Sequence, residues 1–177
     1  MSERLKEVIG RDAIRRRIGE MGHEISEIYR DTGLLAVCVL KGGFIFFADL
    51  VRALDFSPEV DFVRLASYGR GTTTCGCVSF TKDVECELGG RHVLLVDDIV
   101  DTGLSLKFLH DELSKRGPAS VRTCVLIDKV ERRETAVTAD YAGFTVQSGF
   151  MVGYGMDYGE KYRNLDGLYT LELPAEE

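Results

Sequence analysis

Three carboxylates, Asp97, Asp98 and Asp101, stand just before Thr102, Gly103 and Ser105 in the segment Val93 to Leu106 (VLLVDDIVDTGLSL). An apolar run that delivers the chain to acids and then to Thr-Gly suits a strand end followed by a helix opening. At a helix opening the first backbone N–H groups lack intrahelical partners and the dipole is positive. One phosphate group can sit there, with Thr102 and Ser105 adding hydroxyl donors and Gly103 letting the backbone come close. The acids would repel that phosphate, but paired carboxylates accept hydrogen bonds from the two hydroxyls of a ribose. A sugar phosphate fits both halves: diol on the acids Asp97, Asp98 and Asp101, phosphate on the tip formed by Thr102, Gly103, Leu104 and Ser105. Solvated acids at a strand end, or acids capping the next helix, fit the same pattern. The segment by itself leaves both readings open.

The elements that would position this segment alternate between strand and helix. From Asp12 to Arg30, Ile14, Ile18, Met21, Ile25 and Ile28 recur at steps of four and three, one face of an amphipathic helix ended by Gly33. Leu34 to Leu40 (LLAVCVL) is a continuous apolar run, as in a strand covered on both faces. Phe44 to Leu54 reads as helix and Val60 to Ala66 as strand. Tyr68 to Gly76 reads as an exposed Gly- and Thr-rich loop flanked by short strands near Cys77–Thr81. His92 to Val96 is a strand ending at Asp97-Asp98. Gly103 to Arg116 is a helix stopped by Gly117-Pro118, and Val121 to Ile127 is a third buried strand. The rest alternates short strands and turns. This order predicts one α/β domain with a largely parallel sheet, and such sheets bind ligands at the carboxyl ends of their strands.

Composition narrows the function. Hydrophobic residues make up 45% and charged residues 29% of the 177, an ordinary globular balance. The formal net charge of -7 offers no general attraction for nucleic acid or anionic membranes. No run of about 18 apolar residues suggests a membrane span, and Met1 to Arg17 lacks the apolar core of a secretion signal. The cysteines, Cys38, Cys75, Cys77, Cys86 and Cys124, show no framework spacing; Cys38 and Cys124 lie in apolar runs and read as buried thiols. A reduced, cytoplasmic protein is expected. Cys75-x-Cys77 lacks a second ligand pair at zinc spacing. His23, His92 and His110 read as structural or surface residues.

The Val93–Leu106 segment resembles the signature of the type I phosphoribosyltransferases, which bind 5-phosphoribosyl 1-pyrophosphate (PRPP). Further segments resemble the hypoxanthine-guanine branch of that family, in order, over roughly residues 35 to 165. Leu40-Lys41-Gly42-Gly43 is similar to its pyrophosphate loop, where the family has a non-proline cis peptide at the Leu40–Lys41 bond. Ser67-Tyr68-Gly69 is similar to the start of its mobile lid. Leu126-Ile127-Asp128-Lys129 resembles the strand end whose lysine contacts the purine 6-oxo group, with Arg133 at a position where the family carries a pyrophosphate-side arginine. Phe150 to Tyr158 (FMVGYGMDY) resembles the base and metal segment. There Phe150 would stack on the purine, the Met151 backbone would meet the base edge, and Asp157 would line the purine site and help hold Mg²⁺. Asp97 and Asp98 are implied as further Mg²⁺ ligands, and Arg163 would meet the pyrophosphate. One departure is Asp97-Asp98, where the branch often carries Glu-Asp.

The resemblance implies a type I phosphoribosyltransferase fold: a mostly parallel central sheet flanked by helices, with a small hood built from the N- and C-terminal segments. It implies purine salvage with PRPP and a purine base as substrates and pyrophosphate and a nucleoside monophosphate as products. Asp101 is implied as the catalytic base, and a homodimer or homotetramer as the assembly. Adenine and orotate enzymes share the sugar-phosphate motif but do not account for Lys129 with the Phe150–Asp157 segment. Two alternatives stay on the same fold. One is a xanthine-preferring enzyme, since the purine 2-position is read largely by backbone. The other is a PRPP-sensing regulator that binds nucleic acid, against which the net charge speaks.

Overall fold

A computed structural model describes residues 4–68 and 77–172, apart from the side chains of residues 67, 68, 77 and 78. The lid expectation at Ser67, Tyr68 and the following loop therefore lies outside the described side chains and residues.

The elements run β1 (Arg4–Ile9), α1 (Arg11–Tyr29), β2 (Leu34–Leu40), α2 (Phe44–Ala53), β3 (Glu59–Tyr68), β4 (Cys77–Lys82), β5 (His92–Val100), α3 (Leu104–Ser114), β6 (Ser120–Lys129), β7 (Tyr141–Val146), β8 (Met151–Val152) and β9 (Leu168–Glu172). Six strands form the central sheet in the order β4-β3-β2-β5-β6-β7. All neighbours are parallel except the antiparallel edge pair β3–β4. This is the α/β architecture that strand–helix alternation predicts.

The two faces of the sheet explain the unbroken apolar runs. Alternate side chains of a strand point to opposite faces. Leu34, Ala36 and Cys38 of β2 join Leu94, Val96, Cys124 and Leu126 under α1 and α2. Leu35, Val37 and Val39 join Val93, Leu95 and Val125 under α3, which contributes Leu106, Leu109 and Leu113. Both faces are covered, so a two-residue polar alternation would bury charge. On α1, Ile14, Ile18, Met21 and Ile25 are buried as the spacing predicts, while Ile28 is exposed at the helix end. Gly22 brings α1 onto α2: a Cβ there would lie 2.6 Å from the Ala53 carbonyl oxygen. Cys38 and Cys124 are buried free thiols, and burial pushes the Cys38 thiol up to about 12.

Two differences from the sequence reading matter. β5 does not stop at Val96 but stays paired with β6 through Val100, so Asp97 and Asp98 lie within the strand. Pairing continues because Ile99 and Val100 return apolar side chains to the sheet after the acids. β1 was not expected at all. It pairs antiparallel with β9, which pairs with β8, giving a second sheet in the order β1-β9-β8. Its residues Arg4–Glu7 are exposed, so no buried face betrays the strand. Gly149 to Arg163, which includes β8, carries several positive-φ residues, and it bends back over the carboxyl ends of β2 and β5.

Candidate active site

The parallel strands deliver their last residues to one edge of the sheet. Asp97 and Asp98 come from β5, Lys41–Gly43 follow β2, and Lys129 ends β6. Gly103 precedes α3 with φ 83 and carries no side-chain cap of its own; the Leu104 N–H is taken by Thr102 Oγ1 at 3.3 Å, so the opening that could receive an anion is partly engaged within the chain. This left-handed conformation favours glycine. A Cβ there would also stand 2.2 Å from Thr135 Oγ1, because residues 133–135 pack over the turn. The Glu134 N–H donates to the Thr102 carbonyl at 2.9 Å.

Arg133 fastens this strap. Its guanidinium donates to the carbonyls of Asp101 (3.1 Å), Lys129 (3.1 Å) and Val137 (2.7 Å) and pairs with Asp128. Arg133, for which the resemblance implies a pyrophosphate-side role, here has its donors engaged in holding the turn between β5 and α3.

Two adjoining cavities open here. One, of about 160 Å³, is lined by Asp97, Ile99, Asp101, Thr102, Gly103 and Ser105 and contains no lysine or arginine. The other, of about 230 Å³, is lined by Asp98, Ile99, Asp101, Lys129, Phe150 and Asp157, with Arg132, Gly149, Met151 and Met156 completing the wall. Ile99 and Asp101 belong to both. A larger groove of about 820 Å³ lies between α1, α2 and residues 164–166, and Asp97, Asp98 and Asp101 do not line it.

The electrostatics of the two cavities differ. Beside the first, burial and the neighbouring Asp98 charge push the Asp97 carboxyl well above the usual carboxylate range. Burial also raises Asp98, offset by hydrogen bonds from Asp97 and from backbone N–H groups and by the Arg163 charge. Desolvation and the adjacent like charge thus disfavour the ionised form of Asp97. In the second cavity cations are present but paired. Lys129, only 7% exposed, lies with Nζ 3.7 Å from Asp101 and 3.6 Å from Glu131. Arg132 approaches the same Asp101 oxygen at 3.6 Å. The other oxygen, Asp101 Oδ1, is buried without a hydrogen-bond partner. Phe150 is 48% exposed, edge-on to Tyr158 at 5.5 Å, and so presents an aromatic face rather than filling the core.

Lys41 to Gly43 form a tight corner. The Leu40–Lys41 peptide is cis, matching the family feature implied there. Gly42 is wedged: a Cβ on it would overlap Asp98 Oδ2, and a Cβ on Gly155 would come within 2.1 Å of the Gly42 carbonyl. The amide cradle is smaller than expected, since the Gly43 N–H is taken by the Val39 carbonyl at 3.2 Å. Above the corner, Arg163 donates to the Gly155 carbonyl (2.8 Å) and pairs with Asp157 (2.8 Å) and Glu160 (3.1 Å). Glu160 also pairs with Lys41 at 2.9 Å.

Asp97, Asp98, Asp101, Thr102, Gly103, Ser105, Lys129, Phe150, Met151 and Asp157 thus line adjoining cavities, with Lys41–Gly43 and Arg163 on the rim. Leu104 stands beside them, 46% exposed at the start of α3. The implied metal set is not gathered in this way: among the described residues no three acids, histidines or cysteines form a metal-holding group. Sequence reading missed Glu131, Arg132 and Glu160. The Arg132-Arg133 pair and the acid between Asp157 and Arg163 were visible, but nothing local shows which partners they meet.

The fold and these cavities define a phosphoribosyltransferase: residues 10–159 match the family model of the phosphoribosyl transferase domain. The hypoxanthine-guanine phosphoribosyltransferase of Aquifex aeolicus is 44% identical over 171 residues, 96% of each chain. The hypoxanthine phosphoribosyltransferase of Escherichia coli K12 is 41% identical over 93% of this chain and 94% of its own. A crystal structure of a hypoxanthine-guanine phosphoribosyltransferase from Bacillus anthracis superposes with a TM-score of 0.89 at 34% identity, covering 97% of this chain and all of that one. The chain belongs to the hypoxanthine-guanine phosphoribosyltransferase family.

Proposed function

We propose that this phosphoribosyltransferase serves purine salvage by joining the 5-phosphoribosyl group of PRPP to N9 of a 6-oxopurine, hypoxanthine or guanine, with release of pyrophosphate. The observation that carries the assignment of parts is the meeting of the two cavities at Asp101. A sugar phosphate in one and a planar base in the other bring the anomeric carbon and the purine nitrogen together beside one carboxylate.

In this reading the tip of α3 takes the 5′-phosphate, with Thr102 and Ser105 as hydroxyl donors, and Asp97 and Asp98 take the ribose hydroxyls. Phe150 covers the purine, and Lys129 donates to the 6-oxo group. Adenine offers an amino donor at that position, so a cation there disfavours it. The C1′–oxygen bond to pyrophosphate stretches while N9 forms the new bond from the opposite face. Asp101 accepts the proton that the base loses at N7. Pyrophosphate leaves with its electron pair, and Lys41 and Arg163 stabilise the charge that develops on it.

Mg²⁺ is part of the proposal. The donors available, Asp157, Asp97 and Asp98, are all oxygen, as a hard cation prefers. When bound it would neutralise the leaving group. We also place the protein in the reduced cytoplasm, consistent with the free thiols Cys38 and Cys124, and expect a homodimer or homotetramer. No helix among the described residues is long and apolar enough to cross a membrane.

The test is an activity panel with PRPP and Mg²⁺ against hypoxanthine, guanine, xanthine and adenine. Turnover of hypoxanthine or guanine with none of adenine is expected. Turnover of adenine alone, or of xanthine far above both, would overturn the substrate assignment.

A further inference from the structure

The cations on the rim of the site are not waiting in solvent. The Glu160 carboxylate bridges two of them, with Oε1 2.9 Å from Lys41 Nζ and Oε2 3.1 Å from the Arg163 guanidinium. The bridge joins parts of the chain 119 residues apart. The turn is arranged to present the carboxylate: Glu160 has φ 65, and its N–H donates to Asp157 Oδ2 at 2.9 Å. A side chain other than glycine is unfavourable in that left-handed region. The carboxylate thus offers one oxygen to each of the two cations, as a phosphoryl group could.

We propose that Glu160 is a built-in anion that competes with pyrophosphate for Lys41 and Arg163, and thereby sets how tightly the leaving group is held and how readily it departs. This rests on the reading of Lys41 and Arg163 as pyrophosphate contacts. In the free protein Glu160 pairs with both cations, and Arg163 pairs with Asp157 as well, at 2.8 Å. When the pyrophosphate of the donor enters, the carboxylate swings out, and when product pyrophosphate leaves, it returns. The binding-competent state is then only a fraction of the free protein, which weakens apparent affinity by that fraction. An exposed bridge of this kind makes the effect modest, about three- to fivefold. Ribose 5-phosphate, which has no group at this rim, is insensitive to it.

The experiment is calorimetric titration of Mg²⁺-pyrophosphate, and separately of ribose 5-phosphate, into the wild-type protein and Glu160→Gln. Glu160→Asn serves as a second variant, because asparagine tolerates the left-handed region and safeguards folding. Both variants are expected to bind pyrophosphate about three- to fivefold more tightly, with unchanged ribose 5-phosphate affinity and stronger product inhibition by pyrophosphate. Unchanged or weaker pyrophosphate binding overturns the proposal. Lys41→Ala and Arg163→Ala separate the two levels. If they weaken pyrophosphate binding while the Glu160 variants fail to tighten it, only the competition is wrong. If they leave it unaltered, the leaving-group reading falls and the competition falls with it.

Discussion

The two cavities that meet at Asp101 are built on opposite electrostatic plans. The sugar-phosphate side has no basic side chain in its wall and relies on the opening of α3, where Thr102 Oγ1 already accepts from the Leu104 N–H. Its recognition is preformed in backbone, held by Gly103 and the Arg133 strap. The base and leaving-group side is rich in cations, and each is engaged with a carboxylate of the chain: Lys129 and Arg132 with Asp101, Lys41 and Arg163 with Glu160. One side is ready for its ligand, while the other must exchange internal partners for it. An acidic chain gains from this division, because amides bind phosphate without adding mobile charge, and paired cations do not attract stray anions. A reaction in which one phosphate stays and another departs calls for such asymmetry.

Breaking the point where the two halves meet should have the largest effect. Asp101→Asn is expected to lower turnover by about 10² to 10⁴-fold, the usual range for losing a general base. Ribose 5-phosphate affinity, measured by calorimetry, should change by less than tenfold. Equal losses in both would place Asp101 in binding rather than proton transfer.

Gly103→Ala breaks the preformed half alone. The positive φ and the clash with Thr135 should together cost about 2–3 kcal/mol of stability in urea unfolding, and ribose 5-phosphate binding should weaken. An unaltered midpoint would mean that the turn is not constrained as described. Lys129→Met breaks the other half: the KM for hypoxanthine should rise about tenfold, as for a lost charged hydrogen bond, with ribose 5-phosphate binding intact.

The smallest effect sharpens the comparison. A carboxyl whose folded pKa is raised keeps its proton at pH values where the unfolded chain has lost it. The folded state then binds more protons, so stability from this group is lost as pH rises from the unfolded Asp value through the raised folded one. Asp97 stands in this position. Without divalent cations, Asp97→Asn should therefore raise stability near neutral pH by about 1 kcal/mol, a few degrees in melting temperature, and flatten this part of the pH profile. A variant less stable at neutral pH, with the slope retained, would count against the buried pair.

How much was legible follows from the same division. The sugar-phosphate half is contiguous, Asp97 to Ser105, so strand, acids and helix opening could be read in order. The central strands were legible because burial on both faces leaves no polar alternation, as in Leu34–Leu40. β5 was cut short because buried acids look like a strand end, whereas its pairing with β6 runs to Val100. β1 was invisible because RLKEVI owes its strand state to β9, which lies at the far end of the chain. Phe150, Asp157, Lys129 and Arg163 were reached through resemblance, since each is unremarkable in its own neighbourhood. Glu160 and Arg132 were missed because their partners are fixed only when the fold closes.

The most direct test of the central claim is a crystal structure of the chain with inosine 5′-monophosphate. The account predicts phosphate oxygens within hydrogen-bond distance of the backbone N–H groups and hydroxyls of Thr102–Ser105. It also predicts the ribose hydroxyls on Asp97 and Asp98, and the 6-oxo group on Lys129 with Phe150 over the ring. A nucleotide seated instead in the groove between α1 and α2, or bound with its phosphate beside Lys129, would contradict it.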